Sequence, residues 1–460
     1  MTTNKTLMEP WKFTPERIAF FRDLTFVEAL DSQRELHYLF FYKEQFLTCK
    51  KALKLKRSSF IEQAFKEGIV FLCPHPLAAV LMERNTPFKM SSFNDLHKKL
   101  LNTMTNQETA YIFRALDAFL SNEKLFRLIR NLYYEYRRNG QFLHAYKILW
   151  ILAETFPNHS WVRQTSADLN FRSYEKLYNQ RPINLLEKDP LYAASELWKQ
   201  RHEKENNEAL QQLLLQQKQA LTTTALMIES FLKNPCGENL QSLTLWIRTH
   251  FSADEERDIL FQLAKALPDN TGIFQQFLQA SIESGEYEKA LDLLSQSPAG
   301  LKSIDANLLS GIIEAVQWQK TDIPLEKLNT LIISVLQEQP AKLDKILKSC
   351  VQSLLKGYDV PFIVKWMTPL KTQNISLPIA AKISKMLALL DDPERQSQLG
   401  EHYYQLDNID RAIDCFSWEM ELRPDDPQPV KWLSRLYQEK GMANEAKAYQ
   451  QVLVEMQKRA

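Results

Sequence analysis

Glycine is the residue that most limits what this chain can become, because only 10 of its 460 residues are glycine, about 2% against an average near 7%. They are also scattered, Gly300 and Gly311 being the nearest pair. A dinucleotide fingerprint, a phosphate loop and a nucleophile elbow each need glycines a few residues apart, so none of them can be written anywhere in the sequence. Leu, Lys, Glu, Gln and Ala are plentiful, apolar residues recur at helical spacing and strand alternation is nearly absent, so propensity and periodicity agree on an all-α chain. Breaks recur every 12 to 20 residues or so, at Asn139-Gly140, Pro157-Asn158, Pro268-Asp269-Asn270, Pro393, Asp407-Asn408 and Pro424-Asp425-Asp426-Pro427. That rhythm predicts antiparallel helical hairpins rather than a few long bundle helices.

Hydrophobic residues make up 45% and charged residues 25%, a globular profile long enough for several domains or for one long repeat array. The chain carries 57 basic and 56 acidic side chains, yet the halves differ. Residues 1–180 hold 26 basic and 18 acidic groups, and residues 181–460 hold 31 and 38. The basic part is also the aromatic part, with 30 of the 50 Phe, Trp and Tyr residues. Five cysteines, Cys49, Cys73, Cys236, Cys350 and Cys415, form no C-x-x-C pair, which is the usage of a reducing compartment. The first residues, MTTNKTLMEPWKFTPERI, lack the apolar core of a signal peptide. The most membrane-like stretch, Gly68 to Met82, is about 15 residues where ~20 are needed, and Pro74 and Pro76 interrupt it. The expectation is a soluble cytoplasmic protein.

Three turns place Gly five residues before Ala: Gly140 with Ala145, Gly285 with Ala290, and Gly441 with Ala446. A fourth has Asp407 before Ala412, Asp being a tolerable substitute where a turn needs a left-handed or capping residue. Tyr136, Tyr403 and Tyr437 each precede their turn by four residues, and Asp407 and Gly441 lie 34 residues apart. On these residues the chain resembles the tetratricopeptide repeat family. The clearest unit runs from Pro393 to Pro424 with Leu399, Gly400, Tyr403, Ala412, Phe416 and Pro424 at family positions. A second, Pro427 to Lys458, keeps Leu433, Tyr437, Gly441 and Ala446. A third, Phe126 to Pro157, keeps Leu132, Tyr136, Gly140, Ala145, Leu149 and Pro157, and a fourth spans Gly272 to about Gly300. The resemblance implies a right-handed α-solenoid of antiparallel hairpins in which small residues let paired helices approach and large ones fill the next hole. The expected organisation is an aromatic-rich, irregular helical region over 1–120, basic hairpins over 121–200, degenerate hairpins over 201–392 and a C-terminal pair over 393–460. The polar stretch Lys199 to Gln219 is the best candidate for a boundary between the basic and acidic parts.

Candidate chemistry is sparse. No two of the eight histidines fall at metal-ligand spacing. Cys73 and His75 in CPHP read as a proline-terminated helix end rather than half a metal site, and Asp391-Asp392 and Asp425-Asp426 read as capping residues. No catalytic residue, metal or cofactor is expected. The constellation that invites a role is Arg127, Arg130, Asn131, Tyr134 and Arg138, a stripe about 100° wide on one helix, with Trp161 near the start of the following helix as a possible anchor. The opposite face, Phe126, Ile129, Leu132, Tyr133 and Tyr136, must be packed. By similarity to tetratricopeptide units the stripe would face the inner groove, where guanidiniums suit bidentate capture of carboxylate or phosphate; the plainer reading is a solvated helix face. A second basic run, Lys50, Lys51, Lys54, Lys56 and Arg57, follows the aromatic segment HYLFFYKEQF and reads as a solvated helix end.

The function this predicts is non-catalytic: a scaffold or adaptor whose groove holds a peptide or a partner protein. Two alternatives stand beside it. One is nucleic-acid binding by the basic part, and the other is a peptide-responsive regulator that joins a helical bundle to the repeats.

Overall fold

The computed structural model describes residues 13–52, 55, 58–88, 90–287, 339–372 and 375–459 together with positions 290, 293, 329, 332, 333 and 336, and the first elements among them are four consecutive strands, not helices. The strands β1 (Thr14–Phe21), β2 (Leu24–Leu30), β3 (Leu36–Tyr42) and β4 (Gln45–Lys51) are joined by β5 (Ile69–Leu72) in an antiparallel sheet of order β4-β3-β2-β1-β5. This corrects the expectation of helix over 1–120 for the strand segments, whereas four helices between Phe60 and Arg114 agree with it; two physical reasons account for the difference. Strands β2 and β3 are buried along almost their whole length, so apolar residues face both sides and the alternation that marks a strand disappears. The two tight hairpins, Phe21 opposite Leu24 and Tyr42 opposite Gln45, turn on Arg22-Asp23 and Lys43-Glu44. Arg22, Lys43 and Glu44 adopt φ of 59°, 46° and 62°, a conformation usually left to Gly or Asn, so no turn residue announces either hairpin.

The aromatic surplus is spent on covering this sheet. Phe60 of helix α1 (Phe60–Glu67) meets Phe21 at 5.3 Å, Phe26 at 6.1 Å and Tyr111 at 6.1 Å, all in tilted or edge-on geometry, the arrangement that aromatic quadrupoles favour. Gly68 closes α1 where a Cβ would sit 2.6 Å from the Phe20 carbonyl oxygen and 2.3 Å from that of Ala64, so the helix end and strand β1 approach only because the residue has no side chain. The basic run after the aromatic segment is corrected too. Lys50 and Lys51 lie on β4, where Lys50 donates to the Ser91 carbonyl and Lys51 pairs with Glu35; Lys54, Lys56 and Arg57 fall outside the described residues. CPHP starts a helix rather than ending one: His75 Nδ1 accepts from the Leu77 N–H, and Pro76 opens α2 (Pro76–Asn85).

Helices α3 (Phe93–Thr103) and α4 (Asn106–Arg114) lead into the hairpin of α5 (Asn122–Arg138) and α6 (Phe142–Thr155). After α7 (Ser160–Ser166) and α8 (Arg172–Tyr178) come α9 (Pro190–Lys199), α10 (Lys204–Gln216), α11 (Ala220–Lys233), α12 (Gly237–His250) and α13 (Ala253–Ala266). The sheet is fixed to these helices by its own turns. Lys43 and Tyr42 both donate to Glu108 of the α4 capping box, at 2.8 and 2.9 Å. At the other hairpin Asp23 accepts from the buried Gln219 amide, while Glu44 accepts from the Thr222 N–H in the first turn of α11. Two acidic side chains therefore meet the start of α11, where burial raises the pKa of both, that of Glu44 to about 7. The stretch 199–219 thus forms α10 and its flanking turns within the first compact unit, and the division between units falls at 259/260 instead.

The chain divides into two compact units, residues 1–259 and 260–460. Within the second, α14 (Thr271–Ser284), α15 (Pro340–Leu354), α16 (Val360–Trp366), α17 (Thr368–Thr372) and α18 (Pro378–Leu389) precede two stacked hairpins. These are α19 (Gln396–Gln405) with α20 (Ile409–Leu422), and α21 (Pro427–Glu439) with α22 (Ala443–Arg459). Gly400 faces the Phe416 ring, which a Cβ would reach at 2.9 Å. Phe416 in turn stacks on Trp432 of the next hairpin at 5.1 Å, and Tyr437 stacks on Tyr449 at 5.3 Å. Leu399, Tyr403, Ala412 and Ala446 are buried alongside, and Pro424 sits in the turn between the hairpins. The turn residues Gly140, Gly285, Gly441 and Asp407 all take positive φ, from 57° to 82°. Paired helices closed by such turns are tetratricopeptide-like in architecture, and among the described residues no helix is long and apolar enough to cross a membrane.

Candidate functional site

The α5–α6 hairpin presents the arginine stripe. Ser121 caps α5 by accepting from the Lys124 N–H, and Leu125, Phe126, Ile129, Leu132 and Tyr133 bury one face. The remaining side chains are turned outward by the 3.6-residue period. Gly140 closes the hairpin, beside Tyr136, whose ring lies 5.1 Å from His144, and ahead of the fully buried Ala145.

Beyond α6 the chain turns through Phe156-Pro157-Asn158-His159, and Arg163 holds that turn by donating to the Pro157 carbonyl at 3.2 Å and to Asn158 Oδ1 at 2.6 Å. His159 caps α7, its Nδ1 accepting from the Trp161 N–H. The turn and the first half of α5 enclose an open cleft of about 570 Å3 that includes Arg127, Arg130, Phe126 and His159. Inside it, His159 stacks on the Phe126 ring at 3.9 Å, and the Arg130 guanidinium rides 5.3 Å from the same ring. Trp161 packs against Phe126 and Tyr133, and its Nε1–H donates to the Tyr134 hydroxyl at 3.1 Å.

Ion pairing sets the two cleft arginines apart. Arg137, two turns beyond Arg130, is paired with Asp168 at 2.8 Å and lies over the Phe142 ring, although its Nη1 is also a buried donor without an acceptor. Arg127 and Arg130 have no carboxylate partner, and Arg130 Nε is a buried donor without an acceptor. An arginine stacked on an aromatic ring keeps its N–H edge free, and that edge matches a carboxylate bidentately. Glu123, in the first turn of α5, is the acid in this cleft, so cations outnumber it two to one.

The structure therefore brings together Arg127 and Arg130, with Tyr134 and Trp161 joined by a hydrogen bond beside them. Asn131 and Arg138 are exposed on α5 but do not line the cleft. Sequence reasoning missed Phe126 and His159 as cleft residues, Phe126 having been assigned wholly to the packed face. The available signal was the Pro157-Asn158 break, which forces the turn that carries His159 back over α5. In the C-terminal hairpins Arg435 is occupied, by Glu439 at 2.9 Å and by the Tyr404 hydroxyl at 2.7 Å.

No protein-family model and no curated protein matches the sequence. Among solved structures, the TPR domain of P58(IPK) aligns at 13% identity over 79% of this chain and 91% of that one, with a TM-score of 0.18. Naa15/Naa10 bound to HypK aligns at 13% over 80% of this chain and 61% of that one, with a TM-score of 0.16. A circular tandem repeat protein aligns at 13% over 79% and 75%, at 0.11. The assignment of hairpins rests on the packing described above and not on these alignments. What fold and cleft define is a class: a helical-hairpin repeat protein with a sheet built into its first unit.

Proposed function

We propose that the chain is a non-catalytic interaction scaffold and that the cleft between α5 and the 156–159 turn takes an acidic segment of a partner protein. The observation that carries this reading is the pair of uncompensated arginines, Arg127 and Arg130, set against the Phe126–His159 stack. Such a site offers charge-assisted bonds to carboxylates and flat apolar surface to the side chains between them. Helix α5 on one side, and on the other a turn held by the Arg163 bonds, keep the ordering cost of binding low.

The alternative of nucleic-acid binding draws on the excess of basic residues in the first 180. Seven of those cations are held in ion pairs. Arg17 pairs with Glu28, Arg22 and Arg114 with Glu154, Lys43 with Glu108, Lys51 with Glu35, Lys66 with Glu62 and Arg137 with Asp168. These cations come from separate strands, turns and helices, each beside a carboxylate, and so do not make the long continuous stripe that tracks a polynucleotide backbone, which favours the protein partner.

Arg127→Glu combined with Arg130→Glu is the test. The double variant should keep its helical circular dichroism, since Arg127 is exposed and Arg130 half-exposed. Affinity purification from native lysate, with nuclease and at two salt concentrations, should lose the partner that the parent chain retains. A partner retained equally by both proteins removes the cleft as the binding site.

A further inference from the structure

A second charged cleft, of about 540 Å3, lies within the first unit where the β1–β2 turn and the α1–β5 corner meet α9 and α11. Its floor is aromatic. Phe21 and Trp198 pack edge-on at 6.4 Å, and each carries a guanidinium: Arg22 lies 5.0 Å from the Phe21 ring and Arg201 5.0 Å from the Trp198 ring. Arg201 is fully engaged, by Glu229 at 2.8 and 3.0 Å and by the carbonyls of Trp198 and Glu67. Arg22 is not. One of its nitrogens meets Glu154 at 3.3 Å, while its Nε–H, on a side chain only 6% exposed, has no acceptor. The Trp198 Nε1–H, on a residue 1% exposed, also has none. Two buried donors without acceptors on residues that line one cleft are uncommon, because desolvated N–H groups are nearly always paired.

The rim adds charge of one sign. Lys66, Lys199 and Lys233 join Arg22 and Arg201, five cations against the two carboxylates Glu67 and Glu229. Their partners just outside the lining, Arg114 with Glu62, Glu154 and Glu196, still leave cations in the majority. Lys233 meets His202 Nδ1 at 2.8 Å and, at 3.5 Å, shares Glu229 with Arg201, while Lys199 shares Glu154 with Arg22, so these two rim cations each share a carboxylate with an arginine. We infer that this cleft binds a phosphoryl oxyanion, with Lys66, Lys199 and Lys233 at the rim and the unpaired Arg22 and Trp198 donors beneath. Guanidinium and ammonium donors converging on one small volume suit tetrahedral oxygens, each of which accepts several bonds. The phosphoryl group comes either from a free small phosphate or from a phosphorylated side chain. The proposal is independent of the α5 cleft and shares no residue with it.

The experiment uses the full chain. Thermal unfolding and isothermal titration are followed with inorganic phosphate, with a phosphoserine peptide and with its unphosphorylated twin, all at ionic strength fixed with potassium chloride. A saturable rise in Tm with phosphate or with the phosphopeptide is expected, weakened about tenfold or more in Lys66→Glu with Lys233→Glu. Both side chains are more than half exposed, so that variant retains its fold, and Lys66→Gln with Lys233→Gln gives the intermediate case. Tighter binding of the phosphopeptide assigns the group to a protein, and tighter binding of inorganic phosphate assigns it to a free small molecule. Protection no greater than that from potassium chloride alone, equal protection by acetate, equal binding of the two peptides together with no response to inorganic phosphate, or affinity unchanged in the double variant would each overturn the assignment.

Discussion

Glu154 joins three cations: Arg114, Lys199 at 3.0 Å and Arg22 at 3.3 Å all reach its carboxylate. Burial alone would raise its pKa, but Arg114, Arg22 and Lys199 outweigh burial and leave the carboxyl at about 2. Because this lies below the unfolded value of about 4.5, the stabilisation is complete above that pH and is lost as pH falls towards 2. Glu154→Gln should cost about 3–5 kcal/mol at neutral pH, since two buried guanidiniums lose their counter-charge. Urea midpoints at about pH 6 and about pH 3 check this: the parent loses stability between them, and the variant loses correspondingly less. Gly68 supplies a second test at this scale. Gly68→Ala forces a methyl against two backbone carbonyls and should cost about 2–3 kcal/mol. At Gly400 the neighbour is the Phe416 ring, a side chain that can yield, and alanine favours helix. Gly400→Ala should therefore cost clearly less than Gly68→Ala in the same denaturation assay. Neither Glu154 nor Gly68 stands out in the sequence, because each matters through a neighbour 40 or more residues away in the chain.

Among the elements, the helical hairpins were the legible part. The positive φ at Gly140, Gly285, Gly441 and Asp407 is a local requirement of a helix–helix turn, so a residue type can signal it. The strands were illegible for an equally local reason: burial on both faces removed their alternation, and Arg22, Lys43 and Glu44 stand where Gly or Asn would mark a hairpin. Tertiary bonds hold those turns, Lys43 to Glu108 and Glu44 to the Thr222 N–H, so the strain is met by contacts that no window of sequence contains. Ala412, fully buried between paired helices, gives the test of packing at this scale. Ala412→Trp should overpack the C-terminal hairpins and cost about 3 kcal/mol; a variant with the parent's stability would refute that packing. The candidate cleft was legible in part. The period of α5 exposes Arg127 and Arg130, whereas the stacking of His159 on Phe126 depends on how the next turn folds back.

At the scale of the molecule, two compact units should unfold as two calorimetric transitions, each set by its own core. Gly68→Ala should lower one and Ala412→Trp the other. A single transition lowered equally by both substitutions would show that the chain melts as one cooperative body. Glycine scarcity, helical periodicity and the turn residues were enough to establish from sequence that hairpins of helices dominate, because those signals arise within a few residues of one another. Only the tertiary structure decided that the aromatic first segment forms a sheet, which of the basic side chains are held by carboxylates, and that Arg127, Arg130 and the donors of Arg22 and Trp198 gather in two clefts. Burial and ion pairing are properties of surfaces that meet across long chain separations, and a one-dimensional pattern carries no record of which surfaces meet.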